Sequence, residues 1–121
     1  MNEQDELLHI AQPDDWSAAR ATGEYRVSTR GRTLDEEGFI HCSYPRQVEA
    51  VANRFYADTL ELLLLHLDPD LIDAEVRVEP AVEGGDELFP HVYGPIPTAA
   101  VVAVTWWDRD DDGIWRKPVS M

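Results

Sequence analysis

Two short segments carry the side chains most able to do chemistry: Gly38-Phe39-Ile40-His41-Cys42-Ser43 and Phe89-Pro90-His91-Val92-Tyr93-Gly94-Pro95-Ile96-Pro97. Each sets an imidazole among small or aromatic neighbours where a strand meets a loop. The second also holds three prolines and a glycine, which fix its backbone more than packing ordinarily requires. An imidazole in such a place can take up or deliver a proton near neutral pH. His91 and Tyr93 fall on one side of an extended segment.

Other chemistries fit the spacing less well. The four histidines are widely separated, with no His-x-His or His-x-x-x-His pair, so no dedicated metal site is expected. Cys42 is the sole cysteine, which rules out an intrachain disulfide and thiolate zinc clusters. On a regular strand it faces away from His41, so a Cys-His nucleophilic pair is geometrically poor and inert burial is expected. His66 alternates with Leu60, Leu62 and Leu64 and reads as a core histidine with a satisfied ring.

The elements that must position these residues follow from the pattern of apolar positions. Leu7 to Ala11 reads as a first strand, and Pro13-Asp14-Asp15-Trp16 opens a helix that Gly23 ends. Tyr25 to Val27 reads as a short strand, and Gly38 to Cys42 as a further apolar one. Val48, Val51, Ala52 and Phe55 recur at i, i+3, i+4 and i+7 and predict a helix, with Ser43 as its N-cap and Pro45 in its first turn. Leu60 to Leu67 reads as a strand buried on both faces. Ala74 to Glu79 alternates, with Val76 and Val78 on one face and Glu75, Arg77 and Glu79 on the other. Ala99 to Trp107 is a second long apolar strand, and Asp112-Gly113 returns it into Ile114-Trp115 as a hairpin. Trp106 and Trp107 must then face opposite ways, so one can lie on the surface and mark an interface. The order predicts an α+β domain, with two helices in the N-terminal half packed on a largely antiparallel sheet.

A chain of 121 residues fits one domain over 1–121. The formal charge is −14, from 24 acidic and 10 basic residues, and such a field repels phosphate backbones and anionic membranes. Nucleic acid is therefore not an expected partner. Arg20, Arg26, Arg30, Arg32 and Arg46 all lie in the N-terminal half and could still line a pocket for a small anion. The start Met1-Asn2-Glu3-Gln4-Asp5-Glu6 lacks a basic region and an apolar core, and Leu62 to Leu65 is too short to span a bilayer. No membrane association and a cytoplasmic location are expected.

The succession Leu8-His9-Ile10, Gly38-Phe39-Ile40-His41-Cys42-Ser43, Asn53-Arg54-Phe55-Tyr56, Leu63-Leu64-Leu65, Val78-Glu79 and Phe89-Pro90-His91-Val92-Tyr93-Gly94-Pro95-Ile96 resembles the bacterial domain of unknown function 952 family over nearly the whole chain. The resemblance implies a fold similar to the ADP-ribosyltransferase superfold, a split antiparallel sheet whose cleft holds NAD in catalytic relatives.

By that resemblance His9 would sit where a first-strand side chain contacts the nucleotide, unless it is an inert strand histidine. His41 and Ser43 would support the same pocket, with Ser43 able to serve as a helix cap as well. Glu79 would orient a ribose hydroxyl and assist an oxocarbenium-like centre, although its face would equally suit a solvated strand. The RNA 2′-phosphotransferase branch relies instead on histidines and arginines, for which this chain offers His9, His41, Arg46 and Arg77, although the negative charge disfavours a tRNA substrate. An aromatic ring on the side of His91 and Tyr93 could stack on a base or nicotinamide, or Tyr93 and Phe89 could simply pack.

Three classes of function stand open. The first is an enzyme or degenerate enzyme of the ADP-ribosyltransferase type, with His9, His41 and Glu79 catalytic and Ser43, Arg46, His91 and Tyr93 binding a ligand such as NAD. The second is a non-catalytic nucleotide binder, and the third a protein-interaction module using the exposed aromatic strand. No cofactor is required by any motif, and the oligomeric state is not specified.

Overall fold

The computed structural model describes residues 6–81 and 84–118. Met1 to Asp5, read above for targeting signals, lie outside the described residues. Strand β1 (Leu7–Ala11) is buried along its whole length. It runs into α1 (Pro13–Thr22), which has proline at its start and Asp14 and Asp15 in its first turn, where the free amides favour negative charge. Short pieces follow: β2 (Glu24–Tyr25), β3 (Val27–Thr29), β4 (Arg32–Thr33) and the single turn α2 (Leu34–Glu37). Thr33 and Glu36 cap that turn reciprocally. Gly38 closes it at φ 88° with its N–H on the Leu34 carbonyl, a left-handed position that favours glycine. The chain then enters β5 (Ile40–His41) and, after a tight turn at Pro45–Gln47, α3 (Val48–Phe55). The remainder is β6 (Glu61–Leu67), β7 (Val76–Pro80), β8 (Leu88–Val92), β9 (Ile96–Pro97) and β10 (Val101–Asp108).

The fold is α+β with antiparallel pairing. Strands β1, β6 and β10 form one three-stranded sheet with β6 in the middle, and β5, β8 and β7 form a second with β8 in the middle. Two ribbons, β2 with β9 and β3 with β4, flank them. The two larger sheets meet at one seam, where Leu8 N–H donates to the Ser43 carbonyl at 2.9 Å and Ser43 N–H to the Leu8 carbonyl at 2.8 Å.

The leucine run of β6 is explained by cores on both of its sides. Leu63, Leu65 and Leu67 join Leu7, Ala11 and Ala19 with Ile40 and Val92 on one face. On the other, Leu62 and Leu64 join Leu8 and Ile10 with Val48, Val51 and Ala52 of α3, closed by Trp107 and Trp115. No helix among the described residues is long and apolar enough to cross a membrane.

Several local expectations are corrected. Ser43 does not cap α3: its backbone is taken by the seam with Leu8, and the turn at Pro45–Gln47 intervenes. The Gln47 side chain instead accepts from the Tyr44 N–H at 3.0 Å. Val78 is 51 % exposed, because β7 is an edge strand and the core stops at Val76. The long apolar strand is also an edge, with Val102, Val104 and Trp106 exposed and Trp107 buried. The described residues after it, 109–118, form no strand. A turn at Asp110–Gly113 reverses the chain, and Trp115 packs edge-on against Trp107 with ring centres 5.1 Å apart.

Candidate functional site

Register brings the histidines together. Pairing of β5 with β8 sets His41 opposite His91, and pairing of β8 with β7 sets His91 opposite Arg77, two residues from Glu79 on the same face. His41 Nδ1 lies 3.2 Å from His91 Nε2, and His91 Nδ1 lies 3.1 Å from Glu79 Oε2. The Tyr93 hydroxyl donates to that same carboxylate oxygen. The Phe39 ring stacks on His91 at 4.1 Å and 14°, and the Arg77 guanidinium lies over the Tyr93 ring at 4.5 Å. These contacts close His91 off from water at 1 % exposure.

His9 belongs to the same cluster through the backbone. Its Nδ1 is 2.7 Å from the His41 carbonyl, which can only accept, so the proton sits on Nδ1. Its Nε2 then accepts from the Tyr25 hydroxyl at 3.1 Å. The His41 N–H donates to Ser28 Oγ at 3.1 Å. Burial lowers the pKa of His9 to about 4 despite its bond to the His41 carbonyl. Burial, then the neighbouring His91 and His9, lower His41 to about 3. Both rings are neutral at pH 7. The Glu79 carboxyl is held below its ordinary range, first by the Tyr93 hydroxyl and then by His91.

A cavity of about 470 Å³ opens beside His41. Its walls combine the rings of Phe39, Phe55 and Phe89 with Arg32 and Arg54, and with the carboxylates of Glu37, Asp86 and Glu87. Arg32 is bonded to Glu37 at 2.6 Å, whereas Arg54 stacks over Phe55 and joins no ion pair among the described residues. His41 Nε2 is buried and has no hydrogen-bond partner among the described residues. His41 lines both this cavity and a void of about 10 Å³ that it shares with His9, Ser28, Ser43 and Tyr56, and its Nδ1 is turned to His91, which does not line the cavity.

The expected site residues therefore divide into layers. His41 lines the cavity, while His91 stands behind it and Glu79 and Tyr93 behind that. His9 lies beneath with both nitrogens engaged by protein partners, and it lines a void of about 10 Å³ together with His41, Ser43 and Tyr56. Arg46 is apart from the cluster, exposed over the Tyr44 ring on a different depression with Glu49 and Asn53. His66 has both ring nitrogens bonded, to Glu6 and Thr105, each at 2.7 Å. Cys42 is buried on the opposite face from His41, and burial pushes its thiol up. No group of three or more His, Cys, Asp or Glu side chains among the described residues is arranged to hold a metal ion.

Sequence reasoning missed Tyr25, Ser28 and Arg54. The first two sit on strands of two and three residues, too short to show a period, and Arg54 reads simply as a polar position near a helix end.

Residues 10–104 match the family described as protein of unknown function (DUF952). The chain is similar to the crystal structure of protein CC0527 from Caulobacter crescentus, with 27 % identity, a TM-score of 0.77, and 92 % of this chain and 93 % of that one covered. A double mutant of the same protein gives a TM-score of 0.76 at the same identity and coverage. Its solution NMR structure gives 0.67 at 25 % identity, over 92 % of this chain and 91 % of that one. No curated protein matches.

Proposed function

This chain belongs to the DUF952 family, and from that premise we propose that it binds NAD or a related nucleotide in the cavity beside His41 and acts there as an ADP-ribosyltransferase-type enzyme. The observation that carries the reading is that His41, whose buried Nε2 has no hydrogen-bond partner among the described residues, lines a cavity of about 470 Å³, a size suited to a nucleotide-class ligand. An orphaned acceptor of this kind costs stability unless a ligand or solvent group completes it. The two three-stranded sheets, whose strands are bridged backbone to backbone at Leu8 and Ser43, suit a split-sheet architecture of the transferase type.

The walls suit the ligand in sign as well as size. Arg54, with Arg32, can face a pyrophosphate, and the carboxylates of Asp86, Glu87 and Glu37 can face a cationic nicotinamide ring. Phe39, Phe55 and Phe89 offer stacking surfaces. In the transfer, an acceptor hydroxyl or amine would attack C1′ of the ribose while the bond to nicotinamide breaks. Nicotinamide leaves neutral, and the acceptor's proton passes to His41 Nε2. Glu79 would serve through His91, since its carboxylate is bonded to His91 and Tyr93 and does not line the cavity.

A non-catalytic nucleotide binder is the second reading, favoured by that same withdrawal of Glu79 from the cavity. A thermal-shift panel of NAD, ADP-ribose, nucleoside phosphates and divalent metals, run beside an assay of nicotinamide release, separates the two. Stabilisation by NAD with release marks the enzyme, and stabilisation without release marks the binder. No shift with any nucleotide overturns both.

A further inference from the structure

Behind the cavity, three titratable side chains stand in file: His41, His91 and Glu79, at contacts of 3.2 and 3.1 Å. Their hydrogen bonds have a direction. The Glu79 oxygen already accepts from Tyr93, which suits an ionised carboxylate and requires a donor at His91 Nδ1. If each ring carries one proton, His91 Nε2 is then an acceptor and His41 Nδ1 donates to it. His41 Nε2 is left with a bare lone pair, and it is this atom that has no hydrogen-bond partner among the described residues.

We infer that Glu79, His91 and His41 form a proton path from the cavity to solvent, so that the cavity takes a ligand presenting a neutral O–H or N–H to His41 Nε2. The step balances. The ligand's proton joins His41 Nε2, the Nδ1 proton of His41 moves to His91 Nε2, and the Nδ1 proton of His91 moves to Glu79. One proton is transferred, both rings exchange tautomer, and the Glu79 side chain, 29 % exposed, releases the proton to water.

The surroundings hold this file in place. Phe39 covers one face of His91, and Tyr93 under Arg77 anchors the carboxylate. The His41 backbone is pinned on both sides, by Ser28 at its N–H and by His9 at its carbonyl. His91 and Glu79 are thus positioning residues, and His41 alone would touch the ligand. The nucleotide identity of that ligand rests on the function proposed above, but the path itself does not.

The test is nitrogen-15 NMR of the imidazoles in the full chain at neutral pH, together with Glu79→Gln. The path predicts protonated Nδ1 and bare Nε2 on both His41 and His91. Glu79→Gln, which keeps an acceptor for His91 but cannot take up a proton, should lower kcat for nicotinamide release about 10²-fold with KM and the NAD thermal shift unchanged. A proton on His41 Nε2, or protons on both nitrogens of His91, overturns the path, as does unchanged kcat in Glu79→Gln. If the wild-type chain neither binds nor turns over NAD, the nucleotide reading fails, and the tautomers still decide the path.

Discussion

His41 and His91 stand directly opposite each other on β5 and β8, with their facing ring nitrogens 3.2 Å apart. Neither partner is replaceable by an apolar residue without orphaning a buried nitrogen on the other. His41→Leu and His91→Leu should each cost about 1–3 kcal/mol. The double variant should cost less than the sum of the singles, with a coupling of about 0.5–3 kcal/mol in urea unfolding. Additive losses would show that the two rings do not act as a pair.

Stability should fall with acid before the carboxylates titrate. His9 and His41 have folded-state pKa values of about 4 and about 3, both below the ordinary 6.5. Between 6.5 and those values the unfolded chain binds more protons than the native one, so stability is present above pH 6.5 and is lost as pH falls. For His9 the loss is on the order of 3 kcal/mol, complete near pH 4. Urea midpoints from pH 7.5 to 4.5 should decline steadily. His9→Asn, whose amide can still donate to the His41 carbonyl, should flatten that slope, and an equal slope in the variant would contradict the assignment.

The proline-rich segment after His91 has a tight packing point at Gly94. A Cβ there would meet the Ala74 Cβ at 2.7 Å, closer than side chains tolerate. The neighbouring Tyr93 N–H is bonded to the Glu75 carbonyl at 2.8 Å, so the strands cannot simply part. Gly94→Ala should therefore cost about 1–3 kcal/mol, and Ala74→Gly in the same chain should recover much of it. Failure of the second change to help would place the strain elsewhere.

Those three sites also mark how far the sequence could be read. The spans of β1 and α1 and the apolar face of α3 follow from local periodicity and stop signals, whereas the start expected for α3 at Ser43 and Pro45 is displaced to Val48 by the turn at Pro45–Gln47. Ser43 carries a strong local cap signal, yet the seam with Leu8 takes its backbone, and a contact 35 positions away leaves no local mark. The histidines of β5 and β8 stand out by their odd surroundings, but their order of depth does not. That order depends on a register that places Glu79 behind His91 and leaves only His41 at the cavity. Arg54 and Ser28 join the site through tertiary placement of an exposed helix end and a three-residue strand.

Ligand binding should separate the cavity wall from the layer beneath it. Arg54 lines the cavity and stacks on Phe55 near the surface, so Arg54→Ala should change stability by no more than about 0.5 kcal/mol. It should nevertheless reduce or abolish the thermal shift with NAD, through loss of the cation facing the pyrophosphate. Arg46→Ala, on a different depression, should leave that shift unchanged. Equal effects of the two would indicate a general charge effect and remove the assigned role of Arg54.

The adjacent tryptophans of β10 give the sharpest contrast in the fold, since a strand sends neighbouring side chains to opposite faces. Trp107 is 2 % exposed, packs edge-on against Trp115 and donates its indole N–H to the Arg116 carbonyl at 2.6 Å. Trp106 is 54 % exposed and its indole N–H donates to the side chain of Asp108, itself on the surface. Trp107→Ala should therefore cost about 3–5 kcal/mol, through the cavity it leaves and the stranded carbonyl. Trp106→Ser should stay within about 0.5 kcal/mol in the same urea titration. If Trp106→Ser instead lowers stability by several kcal/mol in a concentration-dependent way, the stripe of Val102, Val104 and Trp106 is covered by a second copy of the chain in solution. Concentration dependence is the discriminating reading, because a purely internal packing loss would be the same at every protein concentration.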